Sequence, residues 1–249
     1  MKKRFIFDFV ALLAIAVGFF MLLYFQDFDM NILENIQGAG EIISMDKTGA
    51  GNNEPAQTQQ VNEDMPEMLD KQNFVQPSEE EFVNCYYYSV LNEDEQTVYK
   101  EIYSSIKNME EKRELSTVDV QLVEKLFKCV LNDHPQFYYV EGYTYMTYTR
   151  KDTIVKLEMA GTYSKTKEEC ETLNASIEAY VKKCFGGMES GLSDYEKVKY
   201  IYEYIINNTE YNLNSSDNQN ICSVFLNGES VCMGYAKAMQ YLLLKQDIF

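Results

Sequence analysis

The sequence has no tryptophan, one histidine (His134) and four prolines, and its 22 Lys and Arg stand against 39 Asp and Glu in 249 residues, a formal net charge of −17. The shortage of clustered cations argues against a nucleic-acid backbone as partner, because such binding displaces counterions with Lys and Arg. One histidine and no Cys-x-x-Cys pair exclude the usual zinc-ligand spacings, so no metal is expected. A glycine-rich phosphate loop and internal repeats are also missing, and no cofactor is expected. What is plentiful is tyrosine and phenylalanine, 20 and 14 of them, which suit half-buried strands. The length allows one or two domains with a sizeable core.

The chain opens with Lys2, Lys3 and Arg4, and residues 9–25 then run without a charge. That pattern predicts a transmembrane anchor, residues 1–26, with the basic end in the cytoplasm and the remainder outside it. No small-residue cleavage site follows the apolar run, since the chain continues Gln26-Asp27-Phe28-Asp29, which favours an anchor over a removed signal. Residues 27–80 hold twelve acidic residues against Lys47 and Lys71 and show little periodicity. Such a stretch buries too little apolar area to offset its ordering entropy, and it reads as an acidic flexible linker.

Order is expected from about Glu81. Asn92-x-x-Glu95 opens a helix carrying Val98, Ile102, Ile106 and Met109, and Ser116-x-x-Asp119 opens one carrying Val123, Leu126, Phe127 and Val130. Between Phe137 and Tyr163 the pattern alternates, with Tyr143, Tyr145 and Thr147 on one face, a turn at Arg150-Lys151-Asp152, then Val155, Leu157 and Met159. That is a β-hairpin. A long helix from Thr166 to Phe185 carries Cys170, Leu173, Ile177, Val181 and Cys184, ending at Gly186-Gly187. Its two cysteines are about 21 Å apart and cannot pair with each other. Ser193-x-x-Glu196 starts another helix with Val198, Ile201, Tyr202 and Ile205, and a polar loop follows over residues 212–220. The fold class is therefore α+β, divided into an N-terminal α+β region at 81–192 and a second region at 193–249.

Gly228-Glu229-Ser230-Val231-Cys232-Met233-Gly234-Tyr235-Ala236 sets a cysteine at the start of a helix, whose expected buried stripe is Tyr235, Ala236, Met239 and Leu243. Unpaired backbone N–H groups at a helix N-terminus stabilise negative charge on the sulfur or on an attacked carbonyl, so Cys232 is the candidate catalytic nucleophile. Here the sequence resembles the transglutaminase-like superfamily, over about residues 193–245, with residues 81–192 similar to the N-terminal part of clostridial-type surface proteins of that family. The resemblance implies an incomplete papain-like transglutaminase core and cysteine-dependent acyl transfer or amide hydrolysis on protein or peptide substrates, including wall-associated ones. It also implies a His and an Asp on strands after the cysteine helix.

The sequence ends at Phe249 before any such pair, and Lys245-Gln246-Asp247-Ile248-Phe249 stands where the family has a glycine-containing turn. The expectation is a C-terminally truncated copy, inactive as given, with Leu242, Leu243 and Leu244 left without the strands they would cover. His134 precedes Cys232 by 98 residues and reads as a structural turn residue. With Cys232 free, the other five cysteines pair at most in part. The alternative function is a non-catalytic cell-surface binding or scaffold protein using its tyrosine-rich hairpin and acidic tether.

Overall fold

A computed structural model describes residues 57–60 and 77–249. The expected anchor at 1–26 and most of the expected linker lie outside the described residues. Among the described residues, no helix is long and apolar enough to cross a membrane. Two pieces of the expected linker are placed. Gln57–Gln60 forms strand β1, paired in parallel with residues 146–149. A ladder uses only backbone N–H and C=O groups, so a polar stretch without periodicity can still extend the edge of a long strand. Glu79–Phe82 forms a 3-10 turn that buries Phe82, and Glu79 there accepts a hydrogen bond from the Tyr88 hydroxyl and pairs with Lys100. Order thus begins slightly before Glu81.

The chain is α+β. A short helix α1, Tyr86–Ser89, leads into α2, Glu93–Asn108, whose capping box is complete: the Asn92 side chain accepts from the Glu95 N–H, and Glu95 accepts from the Asn92 N–H. Val98, Ile102 and Ile106 are buried as their spacing predicts, and Met109 ends the helix in the left-handed region at φ 49°. After a short strand β2, Arg113–Glu114, helix α3 runs over Val120–Asp133. Its cap is Asp119, which accepts from the N–H groups of Gln121 and Leu122, so the expected cap at Ser116 is corrected by one turn. Ser116 is engaged elsewhere, giving its N–H and its hydroxyl to the Glu101 carboxylate. The stripe Val123, Leu126, Phe127 and Val130 is buried against α2.

Strands β3, Val140–Arg150, and β4, Thr153–Tyr163, form the expected hairpin in a sheet of order β1-β3-β4-β2. Lys151 and Asp152 both have positive φ, 48° and 65°, the pair of left-handed residues that matches the twist of a two-residue hairpin. Tyr145 pairs with Met159 and Thr147 with Leu157, so the alternating residues of both strands share the face that meets the helices. Leu157 and Met159 are fully buried there. Val155, expected beside them, is exposed because it lies at the hairpin's distal end.

Helix α4, Lys167–Gly186, starts from a Thr166–Glu169 capping box, and α5, Asp194–Asn208, from a Ser193–Glu196 box. On α5 the buried residues are Ile201 and Ile205, whereas Tyr202, expected in the same stripe, is exposed. Strand β5, Glu210–Tyr211, pairs in parallel with β6, Glu229–Ser230, and a π-helical turn at Ser223–Asn227 precedes the last helix α6, Cys232–Leu244. Helix α6 buries Gly234, Ala238 and Leu242 rather than the expected Tyr235, Ala236, Met239 and Leu243; Ala236 is exposed and the other three are half-buried. The small residues at 234 and 238 let the helix approach closely on that side, which turns it away from the larger side chains.

The three leucines are not left bare. Leu242 is fully buried and its two neighbours are half-buried, and α6 is fixed by Gln240 donating to the Asn132 carbonyl at 2.7 Å and by Lys245 pairing with Glu178 at 2.7 Å. One hydrophobic core runs from Phe82 through Ile102, Leu126 and Leu157 to Ile201, Phe225 and Leu242, across the 192/193 boundary read from the sequence.

Candidate active site

Cys232 is held at the head of α6 by the β5–β6 ladder. Gly228 turns the chain in the left-handed region, φ 67°, a conformation that disfavours side chains with a Cβ. Its carbonyl accepts from the Glu210 N–H at 2.8 Å, and the Ser230 carbonyl accepts from the Asn212 N–H at 2.9 Å. Val231 is extended at the cap, and Cys232 is the first helical residue. No side chain caps the first turn, so backbone N–H groups at its head are available to a bound carbonyl oxygen.

Gly234 has a packing reason to be glycine. A Cβ there would lie 2.1 Å from Ser230 Oγ, 2.7 Å from Ser223 Oγ and 2.8 Å from the Asn218 carbonyl oxygen. The two serines are joined at 2.6 Å, and Ser223 donates to the Asn220 carbonyl at 2.8 Å, so the first turn of α6 sits against a small hydroxyl cluster. Tyr235 completes the anchorage, donating to the Thr209 carbonyl at 2.7 Å and stacking on Tyr211.

All six cysteines are unpaired; Cys232 is exposed and the other five are buried. Burial raises the thiol pKa of Cys85 and Cys222 to about 12, and of Cys129 and Cys184 to about 11, which leaves those sulfurs protonated and unreactive near neutrality. Around Cys232 the exposed apolar groups are Tyr211, Leu213 and Met233, and the nearby segment carries Glu210, Asp217 and Glu229. No Lys or Arg occurs between Lys199 and Lys237.

His134 is not brought to Cys232. It follows α3, is 4% exposed, and sits among Phe82, Tyr103 and Phe137. Its Nε2 lies 3.0 Å from the Tyr99 hydroxyl oxygen and 3.8 Å from Cys85 Sγ, and its Nδ1 lies 3.2 Å from Gln136 Nε2. The Tyr99 hydroxyl donates to Asp133 at 2.9 Å, so its oxygen is left to accept from His134. The consistent tautomer carries the proton on Nε2, with Nδ1 accepting from the Gln136 amide. Burial lowers the imidazole pKa to about 3, so the ring is neutral near neutrality. With Nε2 protonated, the ring cannot take a proton from Cys85 through that atom, and the Cys85–His134 contact is no activated pair.

The sequence singled out Cys232 from its local turn chemistry but gave no sign of this polar cluster. Its members come together over separations of 34, 35 and 49 residues. Lys237 was also passed over; on α6 it is half-buried, and burial lowers its pKa. No family model matches the chain, and the comparison with curated proteins finds no match.

Proposed function

We propose that the chain is a membrane-anchored, extracytoplasmic transglutaminase-like protein with Cys232 as its nucleophile. The observation that supports this best is an exposed thiol on the first residue of a thirteen-residue helix whose leading N–H groups carry no side-chain cap. In this reading the Cys232 sulfur attacks an amide carbonyl of a protein or peptide substrate, and the carbonyl oxygen takes up negative charge against the first-turn N–H groups. The C–N bond then breaks, the amine leaves with a proton, and the thioester passes its acyl group to an amine or to water. Gly234 and the Ser223–Ser230 pair keep the turn rigid enough to aim the thiol. His134 does not serve as base, so the Cys232 proton has to pass to a group that the described residues do not place beside it. Residues 1–26 would hold the folded part at the outer face of the membrane.

A second reading is a non-catalytic surface binding protein. It is favoured by the same finding, that the sole histidine is committed to Tyr99 and Gln136, while Tyr211, Leu213 and Met233 leave an apolar surface beside Cys232.

Brief iodoacetamide treatment of the native full chain, followed by peptide mass mapping, tests the nucleophile. Modification of Cys232 alone is expected, and labelling no faster than at the five buried thiols would sink the proposal. Incorporation of a labelled primary amine into a glutamine peptide, lost in Cys232→Ala, selects the enzyme; alkylation without transfer selects the binding protein.

A further inference from the structure

A cavity of about 310 Å³ opens beside His134, lined by Glu80 and Cys85 from the N-terminal turns, Asp133 and His134 from the end of α3, and Tyr241 and Leu244 from the last turns of α6. Asp133 is 4% exposed. Its carboxylate accepts from the Tyr87 and Tyr88 N–H groups, each at 3.0 Å, and from the Tyr99 hydroxyl at 2.9 Å. All three are neutral donors to an acceptor, the arrangement that serves the ionised form. Among the described residues no cation pairs with Asp133, and the adjacent His134 ring is neutral. A buried negative charge without a counter-charge is costly, and a cation reaching it recovers part of that cost.

The other charges at the wall have the same bias. Glu81 is neutralised by Lys107, and Lys245 is committed to Glu178. Glu80 is exposed and makes no ion pair among the described residues. The two carboxylates without a cation, Asp133 and Glu80, therefore line one cavity whose remaining wall, Tyr241 and Leu244, offers apolar surface.

We propose that this cavity binds a small organic cation, a primary ammonium on a short alkyl chain, with the charge facing Asp133 and Glu80 and the chain lying on Tyr241 and Leu244. A bare metal ion fits less well. No group of three His, Cys, Asp or Glu ligands occurs among the described residues, and three donors already occupy the oxygens of Asp133. The site is separate from the reading of Cys232 and does not depend on it.

Because His134 is the only histidine, its ring nitrogen signals report this cavity without assignment of the whole chain. The full chain in a non-ionic detergent is titrated with n-butylammonium chloride, and in parallel with 1-butanol, sodium butanoate and magnesium chloride. A saturable shift of the His134 signals with butylammonium alone is expected, weakened by added salt. Glu80→Gln, at an exposed position that leaves the fold intact, is expected to weaken binding about two- to fivefold. Leu244→Arg, which brings its own cation to the wall, is expected to abolish the shift. No saturable shift, an equal response to butanol or to magnesium, or an unchanged affinity in Glu80→Gln would each overturn the proposal.

Discussion

At the scale of single residues, His134 carries the clearest consequence. Burial holds its pKa near 3 in the fold, whereas unfolding restores the ordinary value of 6.5, so the unfolded chain binds a proton that the fold refuses. Stability therefore falls as pH drops below about 6.5. Glu79, Glu81 and Glu95 have lowered pKa values and add their own losses only near and below the carboxylate range, while the raised pKa of Asp133 opposes them there. Between pH 6.5 and pH 5 the histidine acts almost alone. The expected loss by pH 5 is about 2 kcal/mol, from 1.36 kcal/mol per pH unit. Denaturant midpoints measured across that interval should fall for the native sequence and stay level for His134→Gln; equal slopes in the two proteins would refute the buried neutral ring.

At the scale of elements, the caps show what a sequence can and cannot reveal. Asn92, Thr166 and Ser193 each stand three residues before a Glu, and each forms a reciprocal box in the structure, because all the partners lie within one turn of chain. Ser116 and Asp119 show the same spacing, yet Asp119 is the cap and Ser116 is bound to Glu101, fifteen residues away on α2. Local spacing could not distinguish the two, since the competitor for Ser116 is a tertiary partner. The measurement that separates them is helix content and stability of two variants. Asp119→Ala is expected to cost about 1 kcal/mol by exposing the first turn of α3. Ser116→Ala should instead release Glu101, whose loss Glu101→Gln reproduces; a Ser116→Ala effect independent of residue 101 would restore Ser116 as the cap. The same limit explains the site. Cys232 was readable from Gly228, Ser230 and Gly234, which act within a few residues, whereas the Asp133–Tyr99–His134 cluster and the phase of α6 are decided by helices distant in sequence.

At the scale of the whole molecule, α6 determines whether Cys232 belongs to a folded unit. The apolar pattern of α6 was visible in the sequence, but not its packing partner, so its leucines read as uncovered. In the structure Leu242 is fully buried in the same core as Ile102, Leu126 and Ile201, and Gln240 and Lys245 tie the helix to α3 and α4. If that core is one cooperative unit, damage at Leu242 must be felt by thiols on other elements. Leu242→Ala is expected to destabilise the fold by about 2–5 kcal/mol, through lost burial and the cavity left behind. Pulsed thiol labelling reads the outcome: Cys129 on α3, Cys184 on α4 and Cys222 before the π-helical turn are all buried. In Leu242→Ala they should become labelled together, at one lowered denaturant concentration. Labelling of Cys222 alone, with Cys129 and Cys184 protected as in the native sequence, would mean that α6 is a separable flap. The turn presenting Cys232 would then be too loosely held to aim a nucleophile.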